Sequence, residues 1–224
     1  MSRCRYPVRP IRGRPGAPAT PTLLAGVRIG LLGGSFNPAH DGHLHISLQA
    51  LKRLDLDFVW WMVSPQNPLK STQGMAPFAL RFASAQLAAL HPRILVSDIE
   101  TRIFTRYTAD TLCHLRVLFP RTQFVWLMGA DNLQQFHRWQ RWHEIMKTVP
   151  IAVFDRPAYS RGALRSKMPQ TYRRHRCSER EWRSFATSSL PAWTFITCPR
   201  HPASATQIRA VQPFGHADIF LEKE

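Results

Sequence analysis

The segment Val27–Leu44, VRIGLLGGSFNPAHDGHL, constrains the fold more than any other stretch of the chain. Val27, Ile29, Leu31 and Leu32 make a short apolar run, rich in β-branched residues and ending at glycine, which predicts a buried strand. Gly33 and Gly34 free the backbone for a tight turn and for close approach of a ligand. Leu44, Leu48, Leu51 and Leu54 then recur at helical spacing, so a helix starts near Asp41 or Gly42. Strand, glycine turn and helix in succession aim backbone N–H groups and the positive end of a helix dipole at an anion. His40 and His43 stand at the mouth of that helix, three residues apart and on one side of its first turn. Imidazole donates hydrogen bonds to phosphate oxygens, better when protonated near a polyanion, so the pair suits a triphosphate. The segment lacks the Gly-Lys-Ser/Thr closure of a P-loop and the Gly-x-Gly-x-x-Gly dinucleotide pattern.

The same alternation continues. Phe58–Val63, Arg93–Ser97, Phe124–Met128, Ile151–Phe154 and Trp193–Thr197 are further strand candidates. Met75–Leu90 has a helical pattern, with Pro77 tolerable only in its first turn. Glu100–Tyr107 reads as a polar loop, after which Thr108 serves as N-cap of the helix TADTLCHLRVLF. A short helix, RWQRWHEIM, carries Trp139 and Trp142 three apart. Strands and helices in this order predict an α/β fold: a Rossmann-like, doubly wound, mostly parallel sheet with helices on both faces. Such sheets bind ligands beyond the carboxyl ends of their strands. Three groups are expected there: Lys70 after the Ser64–Pro68 loop, Asp131 after Gly129, and Ser204, Thr206 and Arg209 opening a last helix as a second anion site.

The 224 residues suffice for one α/β domain with a substantial core. Residues 1–26 are rich in arginine and proline and contain no acidic residue, which predicts a disordered basic extension; a signal peptide would need an apolar core, and none is present. No run of about eighteen apolar residues exists, so no membrane span is expected. Cys4, Cys113, Cys177 and Cys198 lie far apart without metal-ligand spacing and read as free thiols in a reducing, cytoplasmic compartment. The net charge of +16 would serve nucleic-acid binding, or the steering of small polyanions into a basic cleft. The charge concentrates in the N-terminal extension and in Arg156–Arg183, without a recognisable nucleic-acid motif, so the cleft reading is preferred and no specific nucleic acid is expected.

GGSFNPAHDGHL resembles the nucleotidyltransferase signature in which His-x-Gly-His follows Gly-x-Phe-(Asp/Asn)-Pro. GADNL at 129–133, the Trp139/Trp142 pair, YTADTL at 107–112 and SATQIR at 204–209 further resemble the bacterial nicotinate-nucleotide adenylyltransferases, in order from about Val27 to Arg209. The resemblance places a nucleotidyltransferase domain at residues 27–224 and implies adenylyl transfer from ATP to nicotinate mononucleotide. The products would be deamido-NAD and pyrophosphate, in NAD biosynthesis, by direct in-line attack on the α-phosphorus.

It also implies roles. Gly33, Gly34, Ser35 and Phe36 would shape the loop under ATP, and His40 and His43 would contact its phosphates. Asp131 would hold the adenosine side, and Ser204, Thr206 and Arg209 the outer phosphates, with His40, His43 and Arg209 as the catalytic set. Tyr107 and Thr108 would border the nicotinate, Trp139 would stack on its ring for roughly 0.5–1.5 kcal/mol beyond burial, and Lys70 would lie near the phosphates of either substrate. Mg²⁺ would arrive with ATP, held by phosphate oxygens and water rather than by a protein metal site.

The chain departs from the family pattern at Asn67-Pro68-Leu69-Lys70, where Pro-Pro-His-Lys is usual, at Ala205 in place of a serine, and in its tail VQPFGHADIFLEKE. The oligomeric state stays open. Another transferase of the superfamily, such as a pantetheine-phosphate adenylyltransferase, is the nearest alternative; Tyr107–Leu112 and the tryptophan pair speak against it. A basic nucleic-acid-binding module on a dead transferase fold is the more distant one, and the intact His40, His43 and Arg209 speak against that.

Overall fold

The apolar runs assemble into one parallel sheet. In the computed structural model, which describes residues 24–65, 74–155 and 160–198, the strands are β1 (Arg28–Gly34), β2 (Phe58–Val63), β3 (Ile94–Ser97), β4 (Gln123–Gly129), β5 (Ile151–Phe154) and β6 (Trp193–Ile196). Their order is β3-β2-β1-β4-β5-β6, and every neighbouring pair is parallel. The helices are α1 (Asp41–Arg53), α2 (Phe78–Ala88), α3 (Ile99–Arg102), α4 (Thr108–Leu118), α5 (Ala130–Gln135), α6 (Trp142–Thr148), α7 (Ser160–Leu164) and α8 (Lys167–Thr171). The order of strands reverses at β1, whose neighbours are β2 and β4, and a ligand crevice opens beyond the carboxyl ends of these strands.

Side chains alternate across the sheet into two apolar layers. Ile29, Leu31, Trp60, Met62, Trp126 and Met128 pack with Leu112 and Leu115 of α4 and Ile145 of α6. Leu32, Val59, Trp61, Val63, Val125 and Leu127 pack with Ala50 and Leu51 of α1, Ala85 of α2, and Trp182 and Phe185 of a 3-10 segment, Glu179–Thr187. A parallel sheet covered on both faces has no polar side, which is why its strands read as unbroken apolar runs. Burying each large apolar side chain contributes about 1.5–3 kcal/mol.

Several expectations shift. Gly33 and Gly34 are the last residues of β1, in register with Met62 and Val63, rather than a turn after it. A Cβ on Gly33 would lie 2.6 Å from the Trp126 ring, so glycine serves close packing of β4's indole against β1. The left-handed turn falls instead on Phe36, at φ 48°. Glu100 and Arg102 belong to α3 rather than to a loop, and the N-cap of α4 is Tyr107, with Thr108 its first helical residue. Trp139 and Trp142 do not share a helix. Arg141, between them, is left-handed at φ 54° and is held there by ion pairs to Asp110 and Glu144. Trp142 therefore opens α6 and enters the core, whereas Trp139 sits in extended conformation after the 3-10 turn Phe136–Arg138.

The chain is anchored ahead of the expected boundary at residue 27. Leu24 is buried and its carbonyl accepts from Thr122 Oγ1 at 2.8 Å. Cys177 and Cys198 are free thiols, but Cys113 is disulfide-bonded, so the expectation of a free thiol does not hold there. No helix among the described residues is long and apolar enough to cross a membrane.

Trp61 Nε1 donates to Ser47 Oγ at 2.7 Å, and that hydroxyl donates to the His43 carbonyl at 2.8 Å. The bond docks α1 on β2 in a place without water, since Ser47 and Trp61 are both fully buried. Ser47→Ala leaves the indole N–H without its acceptor and is expected to cost about 1–3 kcal/mol in urea unfolding, with an unchanged slope against denaturant.

Candidate active site

The chain leaves β1 through Ser35 and Phe36 and enters α1 with His40 as N-cap, in extended conformation. His40 Nδ1 accepts from the Gly42 amide at 3.1 Å, and His43 Nδ1 accepts from the His40 amide at 3.2 Å. This is a capping box, an arrangement ordinarily made by Ser or Thr with Glu or Gln. Two imidazoles make it here, with ring centroids 3.9 Å apart. A ring nitrogen that accepts a hydrogen bond carries no proton, so the neutral rings are protonated at Nε2 and present donors there. His43 also packs on Phe36 at 4.7 Å, and Phe36 stacks on Trp61 at 5.3 Å. Those contacts over-determine the left-handed Phe36, a conformation costing a bulky residue on the order of 1–3 kcal/mol.

Beneath this turn lies Arg81, fully buried on α2 and missed in the sequence reading. Its guanidinium donates to the carbonyls of Ser35 (2.6 Å), Ser64 (2.8 Å), Ala76 (2.9 Å) and Pro65 (3.1 Å). It thus ties the exits of β1 and β2 to the entry of α2. Burial lowers its pKa from the ordinary arginine value, and no carboxylate accepts from it among the described residues. The signal was available: a lone charge inside the apolar helix run MAPFALRFASAQLAAL. Arg81→Met leaves those carbonyls without donors and is expected to destabilise the fold by about 3 kcal/mol or more in denaturant unfolding. Arg81→Lys recovers only part of the loss, because an ammonium cannot reproduce the planar fork.

Beyond the ends of β1, β2 and β4 is a cavity of about 390 Å³. It brings together the predicted residues Gly33, Gly34, Ser35, Tyr107, Thr108 and Trp139, and adds Ser64, Glu100, Arg106, Trp126 and Arg138, which sequence reasoning did not select. Trp139 is half-buried and stands edge-on to Trp126, with centroids 6.0 Å apart at 86°. Arg106 and Arg138 are exposed at the cavity and have no carboxylate partner among the described residues. Glu100 is 7% exposed. Burial pushes its carboxyl up to about 7, against the opposing hydrogen bonds from the Thr111 and Ser64 hydroxyls.

Phe36, His40 and His43 form their own cluster across the Gly33–Ser35 segment, and Asp131 stands in the first turn of α5 beside the end of β4; these four are not cavity lining. Lys70, Ser204, Thr206 and Arg209 lie outside the described residues. No group of three or more His, Cys, Asp or Glu side chains that could hold a metal occurs among the described residues.

A family model described as cytidylyltransferase-like matches residues 31–211. A protein of Parvibaculum lavamentivorans named as a nicotinate-nucleotide adenylyltransferase is 51% identical over 187 residues, 84% of this chain and 93% of its own. One of the same name from Roseobacter denitrificans is 49% identical over 190 residues, 85% of this chain and 95% of its own. The fold is similar to that of a Plasmodium falciparum nicotinic acid mononucleotide adenylyltransferase complexed with NaAD, with a TM-score of 0.62 at 16% identity, covering 82% of this chain and 83% of that one. With the histidine cap and the cavity walls inside the matched region, the chain belongs to the nicotinate-nucleotide adenylyltransferase family.

Proposed function

We propose that this enzyme transfers the adenylyl group of ATP to nicotinate mononucleotide, releasing pyrophosphate and forming deamido-NAD for NAD biosynthesis. One observation carries the reading: two imidazoles locked as Nε2 donors at the start of α1, and an indole-walled cavity reached from the same Gly33–Ser35 segment. The triphosphate lies at the first and the mononucleotide in the second, with Tyr107 and Thr108 bordering the pyridine and Trp139 stacking on it. Asp131 takes the adenosine side. Lys70, Ser204, Thr206 and Arg209, outside the described residues, are assigned to the phosphates on the family motif.

An oxygen of the mononucleotide 5′-phosphate forms the new bond to the α-phosphorus of ATP. The bond from that phosphorus to the bridging oxygen of the β-phosphate breaks, and its electron pair leaves with pyrophosphate. The nucleophile is already ionised at neutral pH, so no general base is required. The obstacles are repulsion and orientation between two polyanions, and fixed donors answer both: the α1 amides, His40 and His43. The donor set facing the phosphates is imidazole and amide nitrogen rather than carboxylate oxygen. Mg²⁺ therefore fits this site as the partner of ATP, ligated by phosphate oxygens and water, and supplies charge neutralisation when bound. The reaction is assigned to the cytoplasm, with small molecules as its substrates.

Pyrophosphate release from ATP, with nicotinate and nicotinamide mononucleotides offered separately, tests the assignment. Release with the nicotinate form is expected, and silence with that substrate sinks the reading. His40→Ala should lower kcat on the order of 10²–10³-fold, the scale of losing one transition-state donor. His40→Asn restores an N-cap acceptor without restoring the Nε2 donor, so it should recover stability but not rate.

A further inference from the structure

Two guanidinium groups at the cavity carry charge that no carboxylate neutralises. Arg106 and Arg138 line it, both are exposed, and neither takes part in an ion pair among the described residues. The segment 66–73, outside the described residues, contains no acidic side chain that could supply one. The carboxylates of α3, α4 and α6 are engaged elsewhere. Asp110 and Glu144 both pair with Arg141, Asp98 pairs with Arg102 at 2.6 Å, and Glu100 accepts from the Thr111 hydroxyl at 3.1 Å. Arg141 thus holds two carboxylates, and Arg138, three residues before it, holds none.

The positions of these charges in the chain are as informative as their lack of partners. Arg106 immediately precedes Tyr107 and Thr108, Arg138 immediately precedes Trp139, and all five residues line the same cavity. Tyr107 and Thr108 are assigned to the border of the pyridine and Trp139 to its face. The two cations therefore stand beside the ring on two separate elements. The 5′-phosphate of the mononucleotide must reach toward α1, where the phosphates of ATP lie, so the anion left for Arg106 and Arg138 is the one on the ring.

We propose that Arg106 and Arg138 are specificity-determining residues, which select nicotinate over nicotinamide mononucleotide by pairing with the pyridine carboxylate. The inference rests on the acceptance of nicotinate mononucleotide set out above. A guanidinium offers a planar fork of N–H donors that matches a carboxylate. The two mononucleotides share ribose, phosphate and a positively charged ring, and differ only in carboxylate against carboxamide. In the acid form the carboxylate offsets the ring charge and attracts both cations. In the amide form the ring meets two charges of its own sign with nothing to offset them. Selection thus comes from attraction of one substrate and repulsion of the other. Arginine keeps its charge throughout the neutral range, so the preference should not depend on pH there.

The test is kcat/KM for each mononucleotide, with ATP saturating, in the wild type, Arg106→Gln, Arg138→Gln and the double variant. The measured quantity is the ratio of the acid value to the amide value. Each single variant should lower that ratio roughly three- to tenfold, a charge-assisted bond discounted for solvent exposure, and the double variant should lower it further. The loss should fall on the acid substrate and appear mainly in KM. Arg138→Lys keeps the charge and should retain most of the preference. Raising ionic strength should lower the ratio in the wild type and leave it nearly unchanged in the double variant, because the phosphates common to both substrates cancel. Should the amide turn over too slowly to measure, its inhibition constant against the acid takes the place of its kcat/KM. Surface substitutions of this kind should leave the melting temperature unchanged. A ratio that stays at the wild-type value in the double variant, or equal losses with the two mononucleotides, overturns the proposal. Absence of turnover with nicotinate mononucleotide in the wild type strikes the functional reading, and the proposal with it.

Discussion

A single guanidinium holds the working end of this sheet together. Parallel strands that end side by side leave their last carbonyls pointing into the crevice where a ligand must bind, and buried carbonyls need donors. Arg81 supplies them for Ser35, Ser64, Pro65 and Ala76 at once. The exits of β1 and β2 are thereby fixed before any side chain of the site is placed. The left-handed Phe36, the stacking of its ring on Trp61 and the packing of His43 on Phe36 all start from that fixed exit.

From there the order propagates through bonds that serve fold and site together. Trp61 Nε1 reaches Ser47 Oγ, which reaches the His43 carbonyl, so α1 cannot slide on β2 without moving an imidazole. On the other side of β1, Gly33 lets the Trp126 ring lie close against the strand, and Trp126 in turn stands edge-on to Trp139. The histidine cap and the cavity are thus set by opposite faces of one strand. Neither depends on a long loop among the described residues.

Much of the fold was legible in the sequence because a buried parallel sheet writes itself as apolar runs. All of the strand candidates from Val27 to Thr197 became strands within a residue or two, and the two-sided helical cover followed from their alternation. The site was legible where chemistry and spacing coincide. His40 and His43 lie at the start of α1, and Tyr107, Thr108 and Trp139 gather in one cavity.

The misses share a physical cause: each depends on where a side chain or φ angle is placed by distant residues. The role of Gly33 depends on an indole ninety-odd residues away, and the separation of Trp139 from Trp142 depends on Arg141 held left-handed by Asp110 of α4. Glu100 reads as loop polarity until Thr111 and Ser64 are seen around it. Arg81 alone left a visible trace, a charge in an apolar stripe.

The imidazole cap ties a helix start to a titration state. Each Nδ1 serves the backbone only as a lone pair, so a ring that gains a second proton must surrender its place at the helix mouth. The bonds that cap the helix therefore also fix the direction in which each Nε2 points.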